Sequence, residues 1–240
     1  MRGEWEERKK SLDIARARKL FVQGKIEEAA ELGLPKAQGR MAHRCGKNGV
    51  AKDPVKCVEW AQKAAAGGDK LGQFWLGYAY QSGEGGLETD WVLALKWYEK
   101  AAVEPGVGAK LSMCSIAILY ASGGHGLTKN HATATTWFSK SAEAGYAGAQ
   151  RSLGVRYQYG VGVTKNLATA REWLQKAADQ NDAIAQRILG TMLVKGEGGP
   201  VSISGGFTLW EAAALQGETT AKENMEKANV SLKTLIEARP

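Results

Sequence analysis

Small and apolar residues recur along the chain with two nested periods. Within a segment they return at every fourth position: Ala37, Met41 and Cys45; Gly72, Leu76 and Tyr80; Ser112, Ile116 and Tyr120; Ala149, Leu153 and Tyr157; Ala185, Leu189 and Leu193. Spacings of i, i+4 and i+8 fall on one face of a helix, so each segment predicts an amphipathic helix packed along that face. A small residue follows the central one each time, at Ala42, Gly77, Ala117, Gly154 and Gly190. Five of the eight tryptophans mark a second element in each segment. Trp60, Trp97, Trp137, Trp173 and Trp210 are spaced by 37, 40, 36 and 37 residues.

Seven residues before the first four of these tryptophans stand Asp53, Asp90, Asn130 and Asn166. Such side chains accept hydrogen bonds from the unpaired N–H groups of a first helical turn, so they predict N-caps. Pro54 follows Asp53, where its missing N–H costs nothing. Small residues precede the tryptophan by three at Cys57, Ala94, Ala134 and Ala170, with Phe207 as the exception. Further small pairs follow it at Ala64/Ala65, Ala101/Ala102, Ser141/Ala142 and Ala177/Ala178. Small side chains let two helix axes approach, with the bulky indole expected to fill the gap between them. Between the two helices lie glycine-rich turns such as Gly83-Glu84-Gly85-Gly86 and Gly160-Val161-Gly162. No strand pattern precedes them and no Gly-Lys-Ser/Thr ends them, so they predict helix closure and not a phosphate loop. Two-helix units at this period cannot bury an apolar face alone, and predict an all-α solenoid.

The fourth unit carries the pattern most fully: Ala149-x-x-x-Leu153-Gly154-x-x-Tyr157, Gly160-Val161-Gly162-Val163, then Ala170-x-x-Trp173-x-x-Lys176-Ala177-Ala178. This resembles the Sel-one-like repeat (SLR) family, related to tetratricopeptide (TPR) repeats. The resemblance implies a right-handed α/α superhelix of five repeats at 34–69, 70–107, 108–147, 148–182 and 183–219. Residues 1–33 and 220–240 are then expected to form capping helices. Ala15 to Ala29 resembles a shortened TPR-like pair, and Ala221, Met225, Leu232 and Leu235 fit a final helix. Unit one replaces the tyrosine by Cys45; unit five has Leu193 there and lacks the Lys-Ala-Ala ending.

Composition narrows the chemistry. There are 32 basic and 25 acidic residues, giving +7. Only 34–69 is clearly biased, through Lys36, Arg40, Arg44, Lys47, Lys52 and Lys56. A nucleic-acid binder concentrates its cations on one face, so the basic segment is a weaker reading than a mildly basic surface meeting an acidic protein. No apolar run approaches the ~20 residues of a membrane span. The charged start, Met1 to Lys10, lacks a following apolar stretch, which predicts no secretory leader. Cys45, Cys57 and Cys114 form no CxxC, and an odd count without a leader points to a reducing, cytoplasmic setting. His43, His125 and His131 lack metal-ligand spacing, and no nucleophile motif occurs. The chain is therefore expected to be no enzyme and to need no metal or cofactor. The alternative is a β-lactam- or peptidoglycan-binding or hydrolysing enzyme, described for cysteine-rich members of the resembled family; those carry regularly paired cysteines.

TPR geometry implies that the first helix of each unit lines the concave wall, at positions two before, two after and five after the Met/Leu/Ile site. The resulting candidate partner-binding residues are His43, Phe74, Tyr78, Gln81, Ile118, Arg151, Val155, Gln158, Arg187 and Thr191. An aromatic and apolar middle with two arginines suits a peptide with apolar anchors and an acidic group. Trp75, Tyr78 and Tyr98 form a candidate aromatic patch, with core packing the expectation for each. The implied function is a protein–protein adaptor.

Overall fold

The computed structural model describes residues 2–47, 53–103 and 105–237. Among the described residues there are thirteen helices and no strand. The chain divides into two compact units, Met1–Asn130 and His131–Pro240. The first holds α1 (Arg2–Val22), α2 (Ile26–Glu31), α3 (Pro35–Lys47), α4 (Pro54–Ala66), α5 (Lys70–Ser82), α6 (Trp91–Ala101) and α7 (Val107–Ser122). The second holds α8 (His131–Glu143), α9 (Ala147–Tyr159), α10 (Leu167–Ala178), α11 (Ala183–Lys195), α12 (Ile203–Leu215) and α13 (Thr219–Glu237). Within each unit consecutive helices pack as pairs, as expected of an all-α solenoid. No helix among the described residues is long and apolar enough to cross a membrane.

Local chemistry sets the helix ends. Asp53 accepts the N–H of Lys56 at 3.0 Å, Asp90 that of Leu93 at 2.8 Å, and Asn166 that of Thr169 at 3.0 Å. Gly83, Gly160 and Gly196 close α5, α9 and α11 with φ near 70°, the left-handed region that glycine enters at little cost. The chain then turns back. The N–H of Asp90 donates to Tyr80 O at 2.8 Å, that of Asn166 to Tyr157 O at 2.9 Å, and that of Ser202 to Leu193 O at 2.9 Å.

The structure corrects the tryptophan register. Ser202 caps α12 by accepting the N–H of Gly205 at 3.3 Å. The eighth residue after the caps is Ala61, Tyr98, Leu174 and Trp210, and all four are buried. Each of the last three faces the small residue of its first helix. A Cβ on Gly77 would lie 2.8 Å from the Tyr98 ring, one on Gly154 2.7 Å from Leu174, and one on Gly190 2.7 Å from the Trp210 ring. Trp210 thus occupies the place of Tyr98 and Leu174, one residue beyond the other tryptophans. Counting from Ser202, Gly206 and not Phe207 is the small residue at the fourth position, and Ala213 and Ala214 restore the small pair.

Trp60, Trp97, Trp137 and Trp173 instead lie half-buried, with Trp60 and Trp97 packed at the edge of the cluster around Ala42, Ala61, Ala65 and Leu76. The ammonium three residues on lies over each ring, with Lys63, Lys100, Lys140 and Lys176 at 4.9, 4.2, 4.2 and 4.0 Å from the centroids. The lysine of the repeat pattern therefore covers the solvent side of the indole.

Polar contacts at a fixed spacing tie neighbouring repeats of the second unit together. Buried Gln150 and Gln186 donate to Ala142 O at 3.1 Å and Ala178 O at 3.3 Å, near the ends of the preceding helices. Their carbonyl oxygens accept from Gln180 at 2.7 Å and Gln216 at 2.8 Å. In the first unit Gln38 does the same to Ala30 O at 3.1 Å. Each such side chain adds a second donor to a helix-end carbonyl that also accepts a backbone N–H from the following turn, of Gly145, Asn181 and Gly33 respectively.

At the N-terminal end, Ala17 of α1 packs with Ala29, Ala30, Leu34 and Ala37. Helix α1 begins well before the expected start near Ala15, and residues 3–12 are exposed, including Trp5 and Leu12. At the other end Ala221 is buried, and Met225 and Ala228 pack against the cluster around Trp210. The side chains of Leu232 and Leu235, residues 238–240, Lys52 and the side chain of Lys47 lie outside the described residues.

Candidate binding surfaces

In the first unit, α3, α5 and α6 bring aromatic residues together. Trp75 contacts His43, Phe74 and Tyr78, with ring centroids 5.7, 5.1 and 5.5 Å apart, and Phe74 lies 5.8 Å from Tyr98. Phe74 and Tyr98 are buried, Trp75 is half-buried and Tyr78 is exposed. Gln81 is committed to the structure: its Oε1 accepts the Tyr98 hydroxyl at 2.7 Å and its backbone carbonyl accepts the Trp91 indole N–H at 3.1 Å. Burial pushes the Tyr98 hydroxyl well above the usual tyrosine range, so it stays a neutral donor. Of the five candidates here, Tyr78 and Ile118 are exposed; His43 and Gln81 are half-buried, and Phe74 belongs to the core.

In the second unit, the other five candidates fall on α9 and α11. Val155, Gln158, Arg187 and Thr191 line one cleft of about 500 Å³, together with Tyr159, Lys165, Leu167, Ile188, Lys195 and Glu197. Val155, Leu167 and Ile188 supply apolar wall. Gln158 donates to Glu197 at 3.2 Å, which holds that carboxylate at the rim. Lys165 and Lys195 are exposed and make no ion pair among the described residues. A neighbouring hollow of about 340 Å³ shares Val155 and Ile188 and is lined by Phe138, Arg151, Ser152, Arg156 and Val161.

Both arginines among the candidates have intramolecular partners. Arg151 Nε lies 3.2 Å from Asp182, which also caps α11, and Arg187 Nε lies 3.2 Å from Glu218. Each charge is therefore partly offset by a carboxylate at the end of the same repeat. Sequence reasoning missed Lys165, Lys195 and Tyr159, which come from a turn and helix ends outside the positions considered. It also missed Arg156, which is buried over the Phe138 ring at 4.7 Å and donates to Thr135 Oγ1 at 3.1 Å and Val161 O at 3.2 Å. Burial lowers its pKa, since no carboxylate offsets the lost hydration.

The basic residues of 34–69 are spread over separate contacts. Lys36 and Arg40 lie over the Phe21 ring at 5.8 and 4.9 Å, Lys63 covers Trp60, and Lys56 approaches Asp53 at 3.8 Å. His125 lies against Trp91, with ring centroids 4.8 Å apart and the planes tilted by 38°. Among the described residues no three His, Cys, Asp or Glu side chains cluster as metal ligands.

A family model for the Sel1 repeat matches residues 35–69, 70–102, 111–146, 147–182 and 183–218. No curated protein matches the chain. Among solved structures, the chain is similar to a Sel1 repeat protein from Oxalobacter formigenes. The two share 28% identity and a TM-score of 0.72, over 87% of this chain and 86% of that one. It is also similar to c5321, a protective antigen of uropathogenic Escherichia coli strains with an SLR fold, at 28% identity and a TM-score of 0.71. That match covers 90% of this chain and 48% of c5321, so the chain spans about half the antigen's length. A sel1 repeat protein from Klebsiella pneumoniae subsp. pneumoniae, at 24% identity and a TM-score of 0.57, shares the fold over 85% of this chain and 97% of that one.

Proposed function

The chain belongs to the Sel1 repeat family, and we propose that it is a non-catalytic scaffold that binds an extended acidic segment of a partner protein along the cleft between α9 and α11. Sel1 repeat proteins are generally protein-interaction scaffolds. The observation that carries the finer reading is the pair Lys165 and Lys195 beside an apolar wall of Val155, Leu167 and Ile188. An aliphatic or aromatic side chain of the partner would fill the apolar part, and carboxylates beside it would meet the two ammonium groups. Arg187 contributes positive potential although Glu218 partly offsets it. Gln158 and Thr191 offer side-chain hydrogen bonds to an extended backbone.

Selection from a displayed random peptide library tests this reading. The expected winners pair acidic residues with one apolar anchor, and the double variant Lys165→Glu/Lys195→Glu loses their binding at least tenfold while melting like wild type. Winners without acidic bias, or binding indifferent to the double variant, would remove the cleft from recognition. Turnover of a chromogenic β-lactam by purified protein would contradict the non-catalytic reading.

A further inference from the structure

Three residues after the central apolar position of the first helix, the second, third and fifth repeats carry Ala79, Leu119 and Met192, all buried. Arg44 holds that place in the first repeat and is exposed. The fourth repeat instead buries a cation there: Arg156 of α9 is only 8% exposed. A guanidinium where leucine or methionine would serve is costly unless hydrogen bonds or a counter-charge offset its lost hydration. Its bonds come from one nitrogen, Nη1, which donates to Thr135 Oγ1 at 3.1 Å, Val161 O at 3.2 Å and His131 O at 3.4 Å. Both carbonyls also lie within reach of the Thr135 hydroxyl, at 3.0 and 2.9 Å, so neither depends on the arginine alone. Nε and Nη2 donate to no group, and no carboxylate offsets the charge, among the described residues. The Phe138 ring, 4.7 Å away, holds the plane of the guanidinium.

Arg156 lines the hollow of about 340 Å³ beside the cleft, against apolar walls of Phe138, Val155, Val161 and Ile188. No acidic residue lines it, and its second cation, Arg151, is already paired with Asp182. We infer that this hollow is a carboxylate site, in which an aspartate or glutamate side chain of the partner segment pairs with Arg156 through Nε and Nη2. The pairing rests on the acidic segment proposed for the cleft, and assigns one of its carboxylates to a residue other than the two lysines. Nε and Nη2 form the edge of the guanidinium that meets both oxygens of a carboxylate in parallel. Val155 and Ile188 belong to both the hollow and the cleft, so an apolar side chain on that wall keeps the acid beside it in reach of Arg156. Shielding by the apolar walls strengthens the pair relative to one formed at the exposed lysines.

NMR of the Arg156 Nε–Hε group and the backbone amides, recorded on the full chain during titration with acetyl-Leu-Glu-Glu-Leu-amide, tests the assignment. The Nε–Hε signal is expected to shift and saturate together with the amides of Val155 and Ile188. The counterpart acetyl-Leu-Gln-Gln-Leu-amide is expected to bind about tenfold more weakly, as is the acidic peptide to Arg156→Met, which restores the residue type of the fifth repeat. The inference is overturned if Nε–Hε stays still while Thr191 and Lys195 shift, a result that would leave the acidic segment in the cleft and empty the hollow. It is equally overturned if the glutamine peptide moves Nε–Hε as much, or if folded Arg156→Met keeps its affinity. Silence at cleft and hollow alike would remove both readings, and the wild-type titration decides alone if the variant fails to fold.

Discussion

The first helices of the two units use the same register for opposite ends. In the first unit the candidate wall is aromatic, and His43, Phe74, Trp75 and Tyr78 pack against one another with Tyr98 filling the space behind Phe74. In the second unit the corresponding stretch carries Val155, Ile188 and Thr191, and a cleft of about 500 Å³ stays open between exposed lysines. Side chains large enough to look like anchors become packing when their neighbours are also large; shorter ones leave room for a partner. The proposed recognition surface therefore lies where the sequence looks less conspicuous.

The sharpest way to break this comparison is through the two kinds of tryptophan. Trp210 is buried against Gly190, and its indole N–H donates to Arg187 O at 3.0 Å. Trp210→Ala is expected to cost about 3–5 kcal/mol in denaturant unfolding. Trp173→Ala, at a half-buried site under Lys176, is expected to cost only about 1–2 kcal/mol, in keeping with partial burial and a lost cation–π contact. Equal losses would mean that the eighth position after the cap is not the buried one.

A smaller effect concerns Tyr98. Its pKa is higher in the folded chain than in the unfolded one, so the folded state binds the proton more tightly. The associated stability is fully present below about pH 10 and is lost as pH rises beyond it, by at most about 1.4 kcal/mol per pH unit. Tyr98→Phe should flatten that alkaline slope in urea titrations between pH 9 and 11, although it also forfeits the bond to Gln81. An unchanged slope would separate the alkaline response from Tyr98.

Smaller again, Arg151→Gln should cost about 0.5–1 kcal/mol, because the pair with Asp182 is only partly shielded from water. The loss should shrink in a background already carrying Asp182→Asn, as a double-mutant cycle would show. Additive losses would mean that the arginine is free for a partner. Least of all, Lys165→Glu/Lys195→Glu should shift stability by less than about 0.5 kcal/mol. A larger shift would give those lysines a structural role and weaken the contrast between the units.

Local signals made most of the fold legible. Asp53, Asp90 and Asn166 announced helix starts, and Gly83 and Gly160 their ends, because caps depend on a few neighbouring residues. The fifth repeat was misaligned by one residue because Trp210 was the most conspicuous landmark, whereas the fold aligns on Ser202 and on the pocket over Gly190. Counting from a serine cap would have found it. The candidate surface was readable only as a set of positions. Val155, Gln158 and Thr191 follow from helical spacing, but the ion pairs that occupy Arg151 and Arg187 join residues 31 apart, and only superposed repeats reveal them. Lys165 and Lys195 enter the cleft from a turn and a helix end, where periodicity carries no information.

The most direct measurement is backbone amide NMR of the full chain titrated with an acidic peptide carrying one apolar anchor. Shifts are expected to concentrate at Val155, Gln158, Ile188, Thr191 and Lys195, with His43, Trp75 and Tyr78 unmoved. Shifts centred on Tyr78 and Ile118 while the α9–α11 cleft stays silent would contradict that expectation.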